Sequence, residues 1–293
     1  MLKEYLDEKK RIVDSALEEY LPKQTGFSYE IAESMRYTLF AGGKRLRPVL
    51  CMASAETVGG NADIVLPVAC AIEMIHTYSL IHDDLPSMDN DDYRRGKPSN
   101  HKIFGEGVAV LAGDALLTEA FCLLSGGIRD LSPEKNLSII HEISTAAGFQ
   151  GMISGQVADL RAEGKKVNME SVDYIHTHKT QALITSSIRA GAIAAGAGED
   201  DMRALSEYGR NAGLAFQIAD DMLDIESSRE VLGKDTGSDE GRKKATYPSL
   251  IGLEESREKT RILVENALSA INRFDERAEP LRMIATFIAE RKS

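Results

Sequence analysis

Apolar residues recur along this chain at spacings of three and four, and period-two alternation is hard to find. The pattern predicts a string of helices. Residues 2–20 are amphipathic and charged. Residues 29–41 are stopped by Gly42-Gly43, and residues 48–58 by Gly59-Gly60. Residues 66–84 are long and mostly apolar, with Pro67 tolerated in the first turn, so they belong at the centre of the fold. Residues 108–124 are helical and rich in small side chains. Ser132-Pro133 sets a capping hydroxyl before proline at the first helical position. Residues 169–197 and 200–224 follow, and amphipathic helices at 254–273 and 280–291 finish the chain. Residues 90–105 read as a loop or irregular helix, and 229–244 as a loop rich in glycine and charge. No repeat or long Pro/Ser linker divides these elements, which predicts one all-α domain over 1–293.

The net charge of −11 changes the functional picture. A nucleic-acid binder needs a basic face to displace counterions, and anionic membranes attract basic segments. Neither fits, so an anionic ligand must be held by local Lys/Arg clusters or by bridging metal. Cys51, Cys70 and Cys122 are scattered among apolar or small neighbours without a Cys-x-x-Cys pair, which predicts buried thiols in a reducing cytoplasm. The charged start is unlike a secretory signal. Leu66 to Ile81 comes nearest to a membrane span but contains Glu73 and His76, so no transmembrane segment is expected.

Two acidic clusters carry the chemistry. Asp83, Asp84, Asp89, Asp91 and Asp92 follow the central apolar helix. Such dense carboxylates repel one another unless solvated or neutralised by a cation. Asp220, Asp221 and Asp224 end a second apolar helix, with Asp220 and Asp224 one turn apart on one face and Gln217 joining them. Two facing carboxylate claws suit Mg²⁺, which takes oxygen ligands, keeps waters and binds through a few carboxylates plus substrate phosphates. Lys44, Arg45 and Arg47 follow Gly42-Gly43, and Arg94-Arg95 follow the first acidic run. Arginine pairs phosphate bidentately and lysine acts as a point charge. The Lys44 segment lacks the spacing of a P-loop. Two anion sites are expected, one bridged by metal and one held by Lys and Arg alone.

These residues resemble the trans-prenyl diphosphate synthases, the farnesyl and geranylgeranyl diphosphate synthase group. Asp83-Asp84 with Asp89 resembles the family's first aspartate-rich motif, and Asp220-Asp221-x-x-Asp224 the second. Gly42 to Pro48, Arg94-Arg95, Gly155-Gln156-x-x-Asp159-Leu160, Lys179-Thr180 and Gly233-Lys234 fall in family order. The resemblance implies a bundle of ten or more helices around a deep cavity, the isoprenoid synthase fold, usually as a homodimer. It implies three Mg²⁺ ions on Asp83, Asp84, Asp89 and Asp220, with Asp221 and Asp224 completing the second motif, gripping an allylic diphosphate. Arg94, Lys179 and Lys234 would add positive charge. The carbonyls of Lys179 and Gln217 and the Thr180 hydroxyl would stabilise an allylic cation. Isopentenyl diphosphate would sit on Lys44, Arg47, His76 and Arg95. A terpene cyclase needs no second diphosphate site, and a silent partner subunit would lose an aspartate motif.

In this family the residues just before the first motif form the floor of the prenyl pocket. Tyr78 lies five residues before Asp83, about 7–8 Å along the helix, with Ser79 next. A large ring there would stop chain growth. With the four-residue gap containing Leu85-Pro86, Tyr78 resembles the bacterial farnesyl type, with the geranylgeranyl product as the alternative. On a straight helix Asp83 and Asp89 would point about 120° apart, so Pro86 is expected to bend or loosen the backbone between them.

Overall fold

The helical pattern becomes a bundle of α-helices with one minute hairpin. The computed structural model describes residues 2–21, 26–128, 130–231 and 244–290, with residue 27 and residues 227–231 described by backbone alone. Helix α1, Leu2–Tyr20, and α2, Tyr29–Leu39, precede α3, Leu46–Thr57. The central helix α4, Leu66–Asp83, begins with proline in its first turn and buries nearly every side chain from Val68 to Ile81. Helix α5, Asn100–Phe104, leads into α6, Glu106–Ser125, and α7, Pro133–Ala147. The Ser132 hydroxyl caps α7 by accepting from the Lys135 amide at 3.4 Å. Then come α8, Met152–Ala162, α9, Met169–Ile175, α10, Ala182–Ala195, and the long α11, Glu199–Val231. Helices α12, Tyr247–Ile251, α13, Leu253–Ala270, and α14, Glu279–Glu290, complete the bundle.

Two apolar clusters fill the interior. One joins α1, α2, α4, α6 and α7, and the other gathers around α11, α13 and α14. Helix α3 serves both, giving Cys51, Met52 and Ala55 to the first and Val49, Leu50 and Ala53 to the second. The Ser54 hydroxyl donates to the Ile188 carbonyl at 2.7 Å and ties α3 to α10. Arg45 sits at the head of α3, 2% exposed. Its guanidinium reaches Asp14 of α1 and Glu73 of α4, each at 2.7 Å, and the Leu39 carbonyl of α2 at 2.6 Å. One buried cation thus joins four helices.

Several expectations are corrected. Residues 169–197 are not one α-helix, because a π-helical turn, His176–Gln181, separates α9 from α10. Helices α8 and α12 lie where none was expected. Segment 90–105 holds a two-stranded hairpin, Tyr93–Arg94 against Lys97–Pro98, as well as α5. Helix α11 runs through Val231, so the segment from Arg229 begins as helix. Its remainder, with Lys234 and Lys243, lies outside the described residues. Cys122 is exposed, because it falls on the outer face of α6. Among the described residues α6, not residues 66–81, is long and apolar enough to cross a membrane, with mean hydropathy 1.7. Ala109, Ala112, Leu116 and Ala120 are nonetheless buried in the core it shares with α4.

Removing one partner of a buried ion pair leaves the other charge uncompensated. Glu73→Ala is therefore expected to destabilise the fold by about 3–5 kcal/mol. The measurement is urea denaturation. A loss confined to what a surface pair gives, about 0–1 kcal/mol, would contradict this role.

Candidate active site

The helices enclose a cavity of about 920 Å³. Asp83 at the end of α4 and Asp220 on α11 both line it, although they are far apart in sequence. Lys44, Arg47, His76, Tyr78, Ser79, Arg94, Arg95, Lys179, Thr180 and Gln217 line the same space. Met152, Val157 and Leu160 of α8, Leu117 of α6 and Phe216 of α11 supply apolar wall. The cavity therefore has charged groups around an oily interior.

The acidic side is built by a helix end. Helix α4 stops at Asp83, and the chain turns so that the Asp89 amide donates to the Asp83 carbonyl at 2.8 Å. The straight-helix angle between these aspartates no longer applies. Burial, reinforced by the charge of Asp89, pushes the Asp83 carboxyl up to about 6 against the pull of Lys179, Arg94 and Lys244. Asp89 meets the Lys244 ammonium at 3.3 Å. Asp84 is turned into the protein, where Arg94 grips it at 2.6 Å. Asp221 likewise faces inward, accepting from the Gln217 amide at 2.8 Å with His176 Nε2 at 3.3 Å. Burial pulls His176 down to about 4, so that contact joins a neutral ring to a carboxylate. Asp224 lines an adjoining cavity of about 910 Å³ with Lys165, Lys166, Lys244 and Asp221.

Among the described residues, no three His, Cys, Asp or Glu side chains form a ready-made site for one ion. That donor set suits Mg²⁺ shared with a diphosphate, because the ion keeps waters and takes only one or two carboxylates beside phosphate oxygens. A buried carboxyl whose charge is disfavoured, as at Asp83, is also one that a divalent cation would stabilise.

The cationic side is the loop from Gly42 to Arg47 with the hairpin turn. Arg95 donates to the Gly42 carbonyl and lies over Gly43, where any side chain would collide with its guanidinium. Positive φ at Arg95 and Gly96 makes the tight turn that separates Arg94 from Arg95. Arg47 Nη1 is 3.3 Å from His76 Nε2. Burial and the neighbouring Arg47 hold His76 far below its usual range, so its ring is neutral and can accept from the guanidinium. Lys44 reaches the cavity with its ammonium 5.8 Å from the Phe287 ring centre.

Between the two sides lies the π-helical turn. Lys179 donates to Asp159 of α8 at 2.5 Å. The Thr180 hydroxyl donates to Gln217 Oε1 at 2.6 Å, leaving its oxygen lone pairs for another partner. Asp159 stands in the Gly155-Gln156 motif noted in the sequence, yet its pairing with Lys179 was not foreseen. His176 has no metal-ligand spacing in the sequence, and its contact with Asp221 comes from the fold alone. Arg45 was counted with the anion-binding cations, yet its guanidinium is committed to the interior.

A family described as Polyprenyl synthetase matches residues 28–284. The chain belongs to the polyprenyl synthetase family. A geranylgeranyl diphosphate synthase of Cyanophora paradoxa is 49% identical over 290 residues, covering 99% of this chain and 96% of that protein. A farnesyl diphosphate synthase of Geobacillus stearothermophilus is 46% identical over 292 residues, covering 99% and 98%. The crystal structure of an FPP/GFPP synthase from Zymomonas mobilis aligns with TM-score 0.88 at 39% identity, covering 98% of both chains. The bundle described above is the isoprenoid synthase fold of these polyprenyl synthetases, and the chain is a prenyltransferase of that family.

In this polyprenyl synthetase, α8 presses so closely on the π-helical turn that a Cβ on Gly155 would sit 2.2 Å from the Lys179 amide nitrogen. Displacing reacting groups by 1 Å can cost on the order of 10²-fold in rate. Gly155→Ala is expected to lower kcat by about 10–100-fold through displacement of Lys179 and Thr180. Steady-state kinetics checks this, and an unchanged kcat would show that the close packing does not set the site.

Proposed function

We propose that this chain condenses isopentenyl diphosphate with dimethylallyl and then geranyl diphosphate to give farnesyl diphosphate, with Mg²⁺. The observation that carries the reading is the shared cavity: Asp83 and Asp220 line it together with Lys44, Arg47 and Arg95. Carboxylates able to share metal with one diphosphate, beside cations able to hold a second, suit a two-substrate condensation.

Asp83, Asp89 and Asp220 would hold the ions, three by family resemblance, beside the allylic diphosphate, with Asp224 in the second cavity. Asp84 and Asp221 would support them from behind through Arg94 and Gln217. Bound Mg²⁺ supplies neutralisation of charge on the departing diphosphate. Arg94 and Lys179 lend further positive charge there, and Lys234 is the remaining cation in this proposal. The allylic C–O bond breaks and its electron pair leaves with the diphosphate. The Lys179 carbonyl, the Thr180 oxygen and the Gln217 side chain face the carbon cation. Lys44, Arg47, Arg95 and neutral His76 hold isopentenyl diphosphate, whose double bond supplies the electrons of the new C–C bond. The proton then lost goes to the released diphosphate.

Tyr78 supports the farnesyl product. Its ring lines the cavity, on a residue five positions before Asp83, and burial pushes its phenol up to about 12, so it stays neutral. Ser79 also faces the cavity, with its hydroxyl bonded to the His76 carbonyl at 2.9 Å. The second reading is a geranylgeranyl product, favoured by the name of the Cyanophora relative. A homodimer in the cytoplasm completes the proposal. Leu111, Leu137, Phe149 and Ile153, on and beside α6 to α8, expose large apolar side chains suited to a second copy.

Purified protein given geranyl diphosphate, labelled isopentenyl diphosphate and Mg²⁺ is expected to yield farnesol after phosphatase treatment. Geranylgeraniol as the main product would favour the second reading, and no condensation would overturn both. Asp83→Asn is expected to lower kcat by about 10²–10³-fold, as for loss of a group stabilising transition-state charge. Tyr78→Ala is expected to lengthen the product, read by chromatography of the alcohols. Sedimentation analysis is expected to give a dimer that Phe149→Asp dissociates.

A further inference from the structure

The chain-length reading above places Tyr78 at the floor but leaves open what keeps its ring there. The ring packs edge-on against His82, one turn further along α4, with centroids 5.7 Å apart and planes at 77°. Both side chains line the cavity. His82 is itself fixed from the other side. Its Nε2 donates to the Val110 carbonyl of α6 at 2.9 Å. The ring fills a notch left by Gly113, where a Cβ would fall 2.1 Å from Nε2 and 2.4 Å from Cδ2. Imidazole size, the missing side chain on α6 and the carbonyl acceptor thus fit one another.

We propose that His82, clamped in the Gly113 notch of α6, is a second specificity-determining residue that holds the Tyr78 ring across the prenyl channel and so limits product length. The physical reason is that an aromatic ring resists a growing chain only while its rotamer is held. Tyr78 can turn about its side-chain bonds. Against the locked imidazole that rotation costs an edge-to-face contact and room. Without the imidazole the tyrosine ring can swing aside, and the channel lengthens although Tyr78 is still present.

The test is product sizing at equal conversion for the wild type and for Tyr78→Ala, His82→Ala, Gly113→Ala and the Tyr78→Ala/His82→Ala pair. His82→Ala is expected to raise the ratio of geranylgeranyl to farnesyl product by about tenfold. Because His82 acts through Tyr78, the double variant is expected to match Tyr78→Ala within about twofold. Gly113→Ala leaves the histidine in place but closes its notch, and is expected to shift the ratio by about threefold or more; this variant carries the test if His82→Ala fails to fold. A lengthened product from Tyr78→Ala with an unchanged ratio in His82→Ala and Gly113→Ala would overturn this inference and leave the Tyr78 floor standing. Effects of the two residues that simply multiply would also overturn it. An unchanged product from Tyr78→Ala would remove the floor itself, and this inference with it.

Discussion

Burying negative charge beside an oily cavity is the constraint on which the rest of this structure depends. Asp83, at the end of α4, sits where water is scarce and shows the cost in its raised affinity for a proton. The fold meets that cost by committing some of the acids to the protein. Asp84 pairs with Arg94, Asp221 accepts from Gln217, and Asp159 pairs with Lys179. Asp83 and Asp220 remain turned toward the shared space. The division separates acids that hold the framework from acids that line the shared space.

The cationic side follows the complementary logic. Arg45 is used up by Asp14, Glu73 and the Leu39 carbonyl. Its neighbours Lys44 and Arg47 reach the cavity. One short loop therefore serves both the scaffold and the cavity wall. His76 stays uncharged because burial and the arginines make a second cation unfavourable there. It lends Arg47 a hydrogen-bond acceptor without adding to the charge.

Much of this was legible along the chain. The central helix could be read from its long, mostly apolar run and proline start, and the α7 boundary from Ser132-Pro133, because these signals are local. The shared cavity was anticipated from two acidic clusters, although only the first lies at a helix end and the second lies within α11. The π-helical turn was not legible, since His176 to Gln181 contains no glycine or proline to mark a change of hydrogen bonding. Helix α8 was hidden by Gly151 and Gly155, which serve close packing rather than termination. The inward turn of Asp84 and Asp221 had a signal that went unused: adjacent residues on a helix differ by about 100°, so a pair of neighbouring aspartates cannot both face one cavity. The commitments of Arg45 span 31 and 28 residues of sequence and are set only by tertiary packing.

The Arg45 knot gives the amino-terminal helix a mechanical connection to the far interior. Residues 2–20 contribute no side chain to the cavity lining, yet Asp14 holds the guanidinium of Arg45, which lies in the same short loop as Lys44 and Arg47. A fusion partner or antibody that tilts this helix would pull on the Lys44–Arg47 loop through a single lever. Activity could then be tuned by force applied at the surface, without touching a substrate-binding group.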